Sequence, residues 1–446
     1  MEIFSTICGL ATPPGLGAIA VIRVSGKETF SIMDKIFLSQ TERKKISSFP
    51  THTLIRGEIF DPETKDVLDE VLLAIYPSPN SYTGEDMVEI FCHGGFYCPE
   101  KISALLIRYG CRQALPGEFT KRRFLAGKID LTQAEGIQAL TSARTELQAR
   151  AALKQLKGCL SQRIKAIVEE MKDLLARIEN EIEFEERETV SFAQIQSQLA
   201  SLSAKIKALV KKGEKEVFIQ KGIRCPIVGK TNVGKSSLFN RLLEKERALV
   251  TEIPGTTRDA IEETISLKGI PFHFIDTCGF RQKKGKLETL GWEKTKEYLA
   301  TADLVIVVLD HSRPLTKEDF EIIRLTTNQK RVIVRNKSDL KSQWQEEISP
   351  PPIPISCKEG SGIEDLKEFL AKVFLNGEED FYLSELRHWE LLKKAGDTLE
   401  RVAGESYLEV MAYELKSAIN FLSEITGEVT SEEVLERIFS RFCIGK

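Results

Sequence analysis

The octapeptide GKTNVGKS, Gly229 to Ser236, has the G-x-x-x-x-G-K-[ST] spacing of a loop that cradles phosphates. It lies between the apolar run GIRCPIV and the run SLFNRLL, so a strand should lead into it and a helix out of it. Gly229 and Gly234 let the backbone N–H groups around Asn232, Val233 and Ser237 curl about phosphate oxygens. Lys235 neutralises the β- and γ-phosphates, and Ser236 offers its hydroxyl to magnesium. Further segments follow in chain order. DTCG, which is Asp276, Thr277, Cys278 and Gly279, ends the run PFHFI, where Asp276 can hold magnesium through water and the Gly279 N–H can reach a γ-phosphate. NKSD ends the run RVIVR and contributes Asn336, Lys337 and Asp339. The Asp339 carboxylate accepts from N1–H and a 2-amino group, which guanine has and adenine lacks; leaving such an acceptor unpaired can reject the wrong base by ~10⁴-fold. The predicted nucleotide is GTP.

Two more segments complete the expected nucleotide site. SCK, which is Ser356, Cys357 and Lys358, ends another strand and resembles the loop that meets guanine O6 in GTPases. TEIPGTTRD supplies a switch through Thr251, Glu252, Ile253, Pro254, Gly255, Thr256 and Thr257, with the last two threonines as phosphate and magnesium contacts. Many GTPases carry a water-orienting glutamine directly after the glycine of DTCG, but Phe280 stands there. Hydrolysis must be arranged otherwise. Asn232 and the segment from Thr251 to Thr256 can present oxygens to a monovalent cation where other GTPases insert an arginine worth ~10³ to 10⁵ in rate, and the expected ion is potassium.

Elements must position these residues. Residues 1–118 mix the β-type runs GAIAVIRVS, DEVLLAIYP and DMVEIFCHGG with the helical run PEKISALLIRYG, which predicts a compact α+β domain. No proline occurs between Gly117 and Cys225, and apolar residues from Leu153 to Ile182 recur at spacings of three and four, predicting one long amphipathic helix. From Val217 to about Phe374 strands should alternate with helices, after which helical periodicity returns. The expected fold is multidomain, α+β and α/β: an N-terminal domain over 1–118, a helical-bundle domain in two pieces over 119–216 and 377–446, and an inserted Ras-like P-loop domain with a mostly parallel sheet over 217–376. Thr430 with Glu433 predicts a capping box at the last helix.

Composition narrows the class. A chain of 446 residues with 42% hydrophobic and 29% charged residues suits about three globular domains. No stretch approaches the ~20 apolar residues of a spanning helix, and no basic segment precedes an apolar run at the start, so the expected location is cytoplasmic. Nine cysteines in so long a chain do not make a disulfide framework. Cys92, His93, Cys98 and Cys111 cluster loosely without the paired spacing of zinc sites, and buried thiols are the simpler account. With a net charge of −3, a nucleic-acid partner must be met by a local basic patch.

The segments ATPPGLGAIAVIRVSG, YTGEDMVEIFCHGG, PGEFTKRRFLAGKIDLTQAEGI, EIPGTTRD and the terminal FCIGK give the whole chain a resemblance to the tRNA modification GTPase family MnmE, also called TrmE. That resemblance implies an N-terminal domain that binds a tetrahydrofolate derivative, in the 5-formyl or 5,10-methylene form, and builds a homodimer. It implies G domains that pair in potassium during hydrolysis. The implied folate contacts are Arg23, Glu85, Lys128 and Lys446; the implied potassium ligands are Asn232, Thr251, Ile253 and Thr256, with magnesium at Ser236 and Thr257. Glu288, twelve residues after Asp276, matches the acid that orients the attacking water. The implied partners are tRNA and an FAD-dependent protein of the MnmG (GidA) family in a heterotetramer, which together modify C5 of the wobble uridine.

The chain departs from the family pattern in three places: Cys278 replaces a common Ala, and Arg123 and Ala126 stand where Ala and Asn are usual. The tail RFCIGK superficially matches a prenylation signal, but Lys446 is not among the usual last residues, and a membrane anchor is not expected. Cys443 is then either a structural thiol or a participant in the modification chemistry. Two rival functions stay open at this level: a regulatory GTPase in ribosome assembly or stress signalling, and a free-standing folate-dependent transferase.

Overall fold

A computed structural model describes residues 5–40, 44–183, 192–243, 261–276, 297–344, 346–374 and 385–446. The chain forms two compact units. The first comprises Met1–Gln138, Leu156–Val168 and Leu422–Lys446, and the second Ala139–Gln155 and Glu169–Phe421.

The first unit is built on a seven-stranded sheet ordered β3-β4-β5-β6-β2-β1-β7. Its strands are β1 (Ile7–Leu10), β2 (Ile19–Ser25), β3 (Phe37–Ser39), β4 (Thr53–Phe60), β5 (Val67–Tyr76), β6 (Met87–His93) and β7 (Arg112–Gln113). All neighbours run antiparallel except β1 and β7. Alternation along IAVIRVS sends Ala20, Ile22 and Val24 into a core shared with Ile102, Leu105 and Leu106 of the helix Tyr97–Arg108 and with Ile32, Met33 and Ile36 of the helix Thr29–Ile36. Arg23 therefore projects from the opposite face, directly across from Glu89 on β6. The helix Thr29–Ile36, at eight residues, is too short to announce itself by periodicity.

In the second unit, six strands are ordered β13-β12-β11-β8-β10-β9. They are β8 (Ile223–Val228), β9 (Ile261–Leu267), β10 (Ile270–Asp276), β11 (Val305–Asp310), β12 (Arg331–Asn336) and β13 (Ile353–Pro354). Only the pairing of β9 with β10 is antiparallel among these. The central strands are buried runs such as VIVVLD, as expected for a sheet covered on both faces. Chain order reverses at β8, between β11 and β10. The loop after β8 therefore opens at the switch point of the sheet, where α/β folds bind ligands.

Three expectations need correction. The stripe from Leu153 to Ile182 is two helices, Glu146–Leu156 and Cys159–Glu183. Gly158, at φ +79°, breaks it, because a residue in that left-handed conformation cannot continue a right-handed helix. The buried stripe holds from Leu160 through Ile178, whereas Leu153 is exposed. Strands do not begin near Val217: the helix Phe192–Lys221 runs on, and β8 starts at Ile223. The last helix, Glu432–Phe439, is capped by Ser431, whose side chain accepts from the Val434 N–H at 3.4 Å, while the Thr430 hydroxyl is buried without a partner. Cap identity shifted by one residue, since Ser431 serves the cap position as well as Thr430 would.

Candidate functional site

The phosphate loop leaves β8 and enters the helix Lys235–Leu243. Lys235 is buried, and its ammonium donates to the carbonyls of Gly229 at 2.7 Å and Lys230 at 2.5 Å, which holds the loop curled. Asn232 takes a positive φ of 61°, and Val233 is buried in the sheet core. Ser236 and Ser237 are exposed in the first turn of the helix. Asp276 ends β10 and is 3% exposed.

Asn336, at the end of β12, ties this loop to the expected guanine loop. Its side-chain amide donates to the Val233 carbonyl at 2.8 Å and accepts from the Cys357 N–H at 3.1 Å, and the residue is 2% exposed. Gly234, at φ +98°, has to be glycine for the same reason: a Cβ there would sit 2.1 Å from the Asn336 side-chain nitrogen. Arg241, one turn from the end of the helix, donates to the carbonyls of Cys357 at 2.7 Å and Lys358 at 2.9 Å. The phosphate loop with its helix and the loop over a hundred residues later are thus joined by four hydrogen bonds from two side chains, Asn336 and Arg241.

Asp339 stands beyond them with one carboxylate oxygen accepting from the Ser356 hydroxyl at 2.6 Å. That bond, helped by the charges of Lys358 and Lys337 against some burial, holds the carboxyl below its ordinary range. Lys337, at φ 65°, donates to Asp310 at 2.6 Å. Burial pushes the Cys357 thiol up to about 11, so it stays protonated at neutral pH and acts as a small apolar wall. The expected site residues Thr251, Glu252, Ile253, Pro254, Gly255, Thr256, Thr257, Thr277, Cys278, Gly279 and Glu288 lie outside the described residues.

Reading the sequence missed Asp310 and Arg241. Asp310 ends the apolar strand VIVVLD just as Asp276 ends its own strand, and a carboxylate at the C-terminal end of a buried parallel strand faces the ligand edge of the sheet. That position was the available signal. Arg241 gave none, being one more cation on a helix.

A second site lies on the sheet of the first unit. A cavity of about 460 Å³ is lined by Arg23, Tyr76, Tyr82, Glu89 and Arg123 among others. Arg23 donates through Nε to Glu89 at 2.8 Å and through an η-nitrogen to the Gly445 carbonyl at 3.0 Å. The C-terminal tail is therefore laid over β1. The Cys443 carbonyl accepts from the Gly117 N–H at 3.3 Å, and Cys443 itself is exposed. Burial lowers the Lys446 ammonium below the usual lysine range and the nearby Arg23 charge adds to this, with Cys443 acting in the opposite direction. Glu85 and Lys128 do not line the cavity. Both Glu85 oxygens accept from Arg122, at 3.1 and 2.9 Å, and one also accepts from Ser25 at 2.8 Å. Lys128 donates to the carbonyls of Pro79 at 2.5 Å and Ser81 at 2.8 Å, so it braces the turn that contributes Tyr82 to the wall.

Gly445 is the hinge of this docking. It holds φ +89°, and a Cβ would fall 2.2 Å from the Leu10 carbonyl oxygen. Gly445→Ala is expected to lift the tail from β1, seen as hydrogen exchange accelerated at least tenfold at residues 443–446; unchanged exchange would count against the docked tail.

The loosely clustered thiols are accounted for by packing. Cys92 and Cys111 are buried in the sheet core, and burial pushes the Cys92 thiol up to about 12. His93 pairs with Asp69 at 2.6 Å. Among the described residues no group of three or more His, Cys, Asp or Glu is arranged to hold a metal ion.

Known proteins agree with this layout. Residues 6–128 match the family description "GTP-binding protein TrmE N-terminus", and residues 131–443 match "MnmE helical domain". The tRNA modification GTPase MnmE of Natranaerobius thermophilus is 40% identical over 457 residues, covering 99% of both chains. The protein of that name from Alkaliphilus oremlandii is 39% identical over all of both chains, and the one from Aquifex aeolicus is 42% identical over 99% of both. A crystal structure of Aquifex aeolicus Era bound to GDP and AlF4⁻ overlaps 40% of this chain and 66% of that one at 24% identity and a TM-score of 0.27, too loose a likeness to carry weight. Identity near 40% along the full length, together with both domain matches, means that this chain belongs to the tRNA modification GTPase MnmE family.

Proposed function

We propose that the chain is a potassium-dependent GTP hydrolase that, with an FAD-dependent partner of the MnmG (GidA) family, adds an aminomethyl or carboxymethylaminomethyl group to C5 of the wobble uridine of certain tRNAs. The observation that carries the nucleotide half is the Asn336 bridge, which holds the phosphate loop and the Ser356–Lys358 loop at fixed spacing, so that phosphates and base are gripped by one rigid frame. Within that frame Lys235 meets phosphate oxygens, Asp339 accepts from the guanine edge, and the Cys357 backbone lies beside O6. Glu288 orients the attacking water.

The residues fit the ions the reading requires. Ser236 and Asp276 supply hard oxygen donors of the kind magnesium takes, with Thr257 as the further ligand proposed. Asn232, held at a positive φ in the loop, is proposed with Thr251, Ile253 and Thr256 to make a shell of neutral oxygens for potassium. A cation there supplies positive charge beside the phosphates, the part an arginine plays elsewhere.

The cavity beside Arg23 fits a tetrahydrofolate derivative, which when bound supplies the one-carbon unit. Its volume falls in the range of small-ligand pockets, Tyr76 and Tyr82 give aromatic walls, and the lining carries guanidinium charge that suits the ligand's carboxylates. Arg23 joins the tail to the pocket, which brings Lys446 close. Lys128 shapes the wall through its hold on the 79–81 turn. Glu85, fixed by Arg122 and Ser25 and outside the cavity lining, is the acceptor proposed for a pterin N–H edge reaching past that lining. Cys443, exposed on the docked tail, is the thiol available to the modification step. The functional division proposed is 1–118 for folate and dimerisation, 217–376 for GTP, and 119–216 with 377–446 for the helical connection. The working assembly is a homodimer joined to the flavoprotein as a heterotetramer in the cytoplasm. Among the described residues no helix is long and apolar enough to cross a membrane.

Mass spectrometry of wobble nucleosides from a depleted strain tests this reading. Loss of the C5 substituent, restored by the intact chain, is expected. Fully modified nucleosides after depletion would instead favour a regulatory GTPase.

A further inference from the structure

The helix Glu118–Leu125 carries two adjacent arginines with opposite fates. Arg122 is 5% exposed and paired through its η-nitrogens, donating to Glu85, to Glu118 at 3.0 Å and to the Ser5 carbonyl at 2.8 Å, with its Nε alone left without a partner. Arg123 turns the other way and lines the 460 Å³ cavity. Its guanidinium lies over the Tyr82 ring at 4.5 Å, and its Nε is buried with no hydrogen-bond partner. Among the described residues no carboxylate pairs with it.

Arg23 shares that ring at 5.3 Å, but it already has a counter-ion: its Nε donates to Glu89 and one η-nitrogen to the Gly445 carbonyl. Two guanidiniums thus lie over one tyrosine in a cavity whose lining holds a single carboxylate, Glu89, already paired with Arg23, and Lys446 adds a further cation near Arg23. A surplus positive charge held in a partly desolvated cavity with unfilled donors is costly unless an anion completes it. The surplus belongs to Arg123, because Arg23 already has its counter-ion. Stacking on Tyr82 fixes the plane of the Arg123 fork, which suits bidentate recognition of a carboxylate.

We propose that Arg123 is a specificity-determining anion receptor for the glutamyl tail of the ligand in this cavity, so that this chain selects folates whose tail carboxylates are free. The inference rests on the folate reading of the cavity. It concerns a residue that departs from the family pattern, and the other guanidinium lining the cavity, Arg23, is already paired with Glu89.

Calorimetric titration of the full-length chain tests it with two probes: 5-formyltetrahydrofolate, and its bis-amide, in which both glutamyl carboxylates are neutral carboxamides. The native chain is expected to prefer the diacid by about 10- to 100-fold, the worth of a charge-assisted bidentate contact. Arg123→Ala should erase that preference while binding the bis-amide as the native chain does, and Arg123→Lys should restore part of it. If Arg123→Ala weakens both probes equally, or keeps the preference, the inference is overturned and the folate reading stands. If the native chain binds neither probe, the folate reading falls and this inference with it.

Discussion

Asp339→Asn is expected to weaken GTP binding by about 10³-fold or more and to transfer the preference to xanthosine triphosphate. The carboxylate is ionised at neutral pH, since the Ser356 hydroxyl and two neighbouring lysines favour its charged form. It therefore only accepts, and the guanine edge offers it two donors. An asparagine at the same position turns an NH₂ toward the guanine 2-amino group, donor against donor, and leaves buried polar groups unpaired on both sides. Xanthine carries a carbonyl oxygen where guanine has that amine, and so accepts from the new amide. The Ser356 hydroxyl can still donate to the asparagine carbonyl, so the loop should keep its shape. Competition titrations with a fluorescent nucleotide read this directly; a change in GTP affinity below about tenfold would remove Asp339 from the base contact.

The second large effect concerns turnover rather than binding. Glu288→Ala is expected to lower kcat for GTP by about 10²- to 10⁴-fold, the usual worth of a positioned acid or base, with GTP affinity within a factor of two of the native value. Phe280 occupies the place of the water-orienting glutamine and cannot hydrogen-bond a water, while Glu288 matches the family's water-orienting acid. On the proposed assignment the binding groups and the water-orienting group are separate residues, so their loss should separate in the kinetics. Turnover retained at more than a tenth of the native rate would refute the role of Glu288.

How much of this was legible in the residues varies with the range of the interaction. The phosphate loop, NKSD and SCK were readable because each is a short contiguous segment whose spacing is dictated by one ligand group. The mostly parallel sheet was readable from buried apolar runs alternating with helical ones. The break at Gly158 was not, because a lone glycine inside a helical stripe costs only ~1 kcal/mol and is often tolerated. Capping failed between Thr430 and Ser431 because both residues satisfy the same rule, and tertiary burial of Thr430 decided between them. The Asn336 bridge, the Arg241 brace and the docking of Gly445 on β1 join segments that are far apart in the chain, and nothing local encodes them. Arg123 is the instructive case. In sequence it was a departure from a pattern; only the path of its side chain onto Tyr82 shows it to be a cation without a counter-ion among the described residues.

The central claim is that a bound monovalent cation takes the place of a missing catalytic group. It is tested most directly by steady-state GTP hydrolysis of the purified chain in potassium and in sodium at equal ionic strength. Turnover at least tenfold faster in potassium is predicted, with the difference lost in Asn232→Ala; equal rates in the two salts would contradict it.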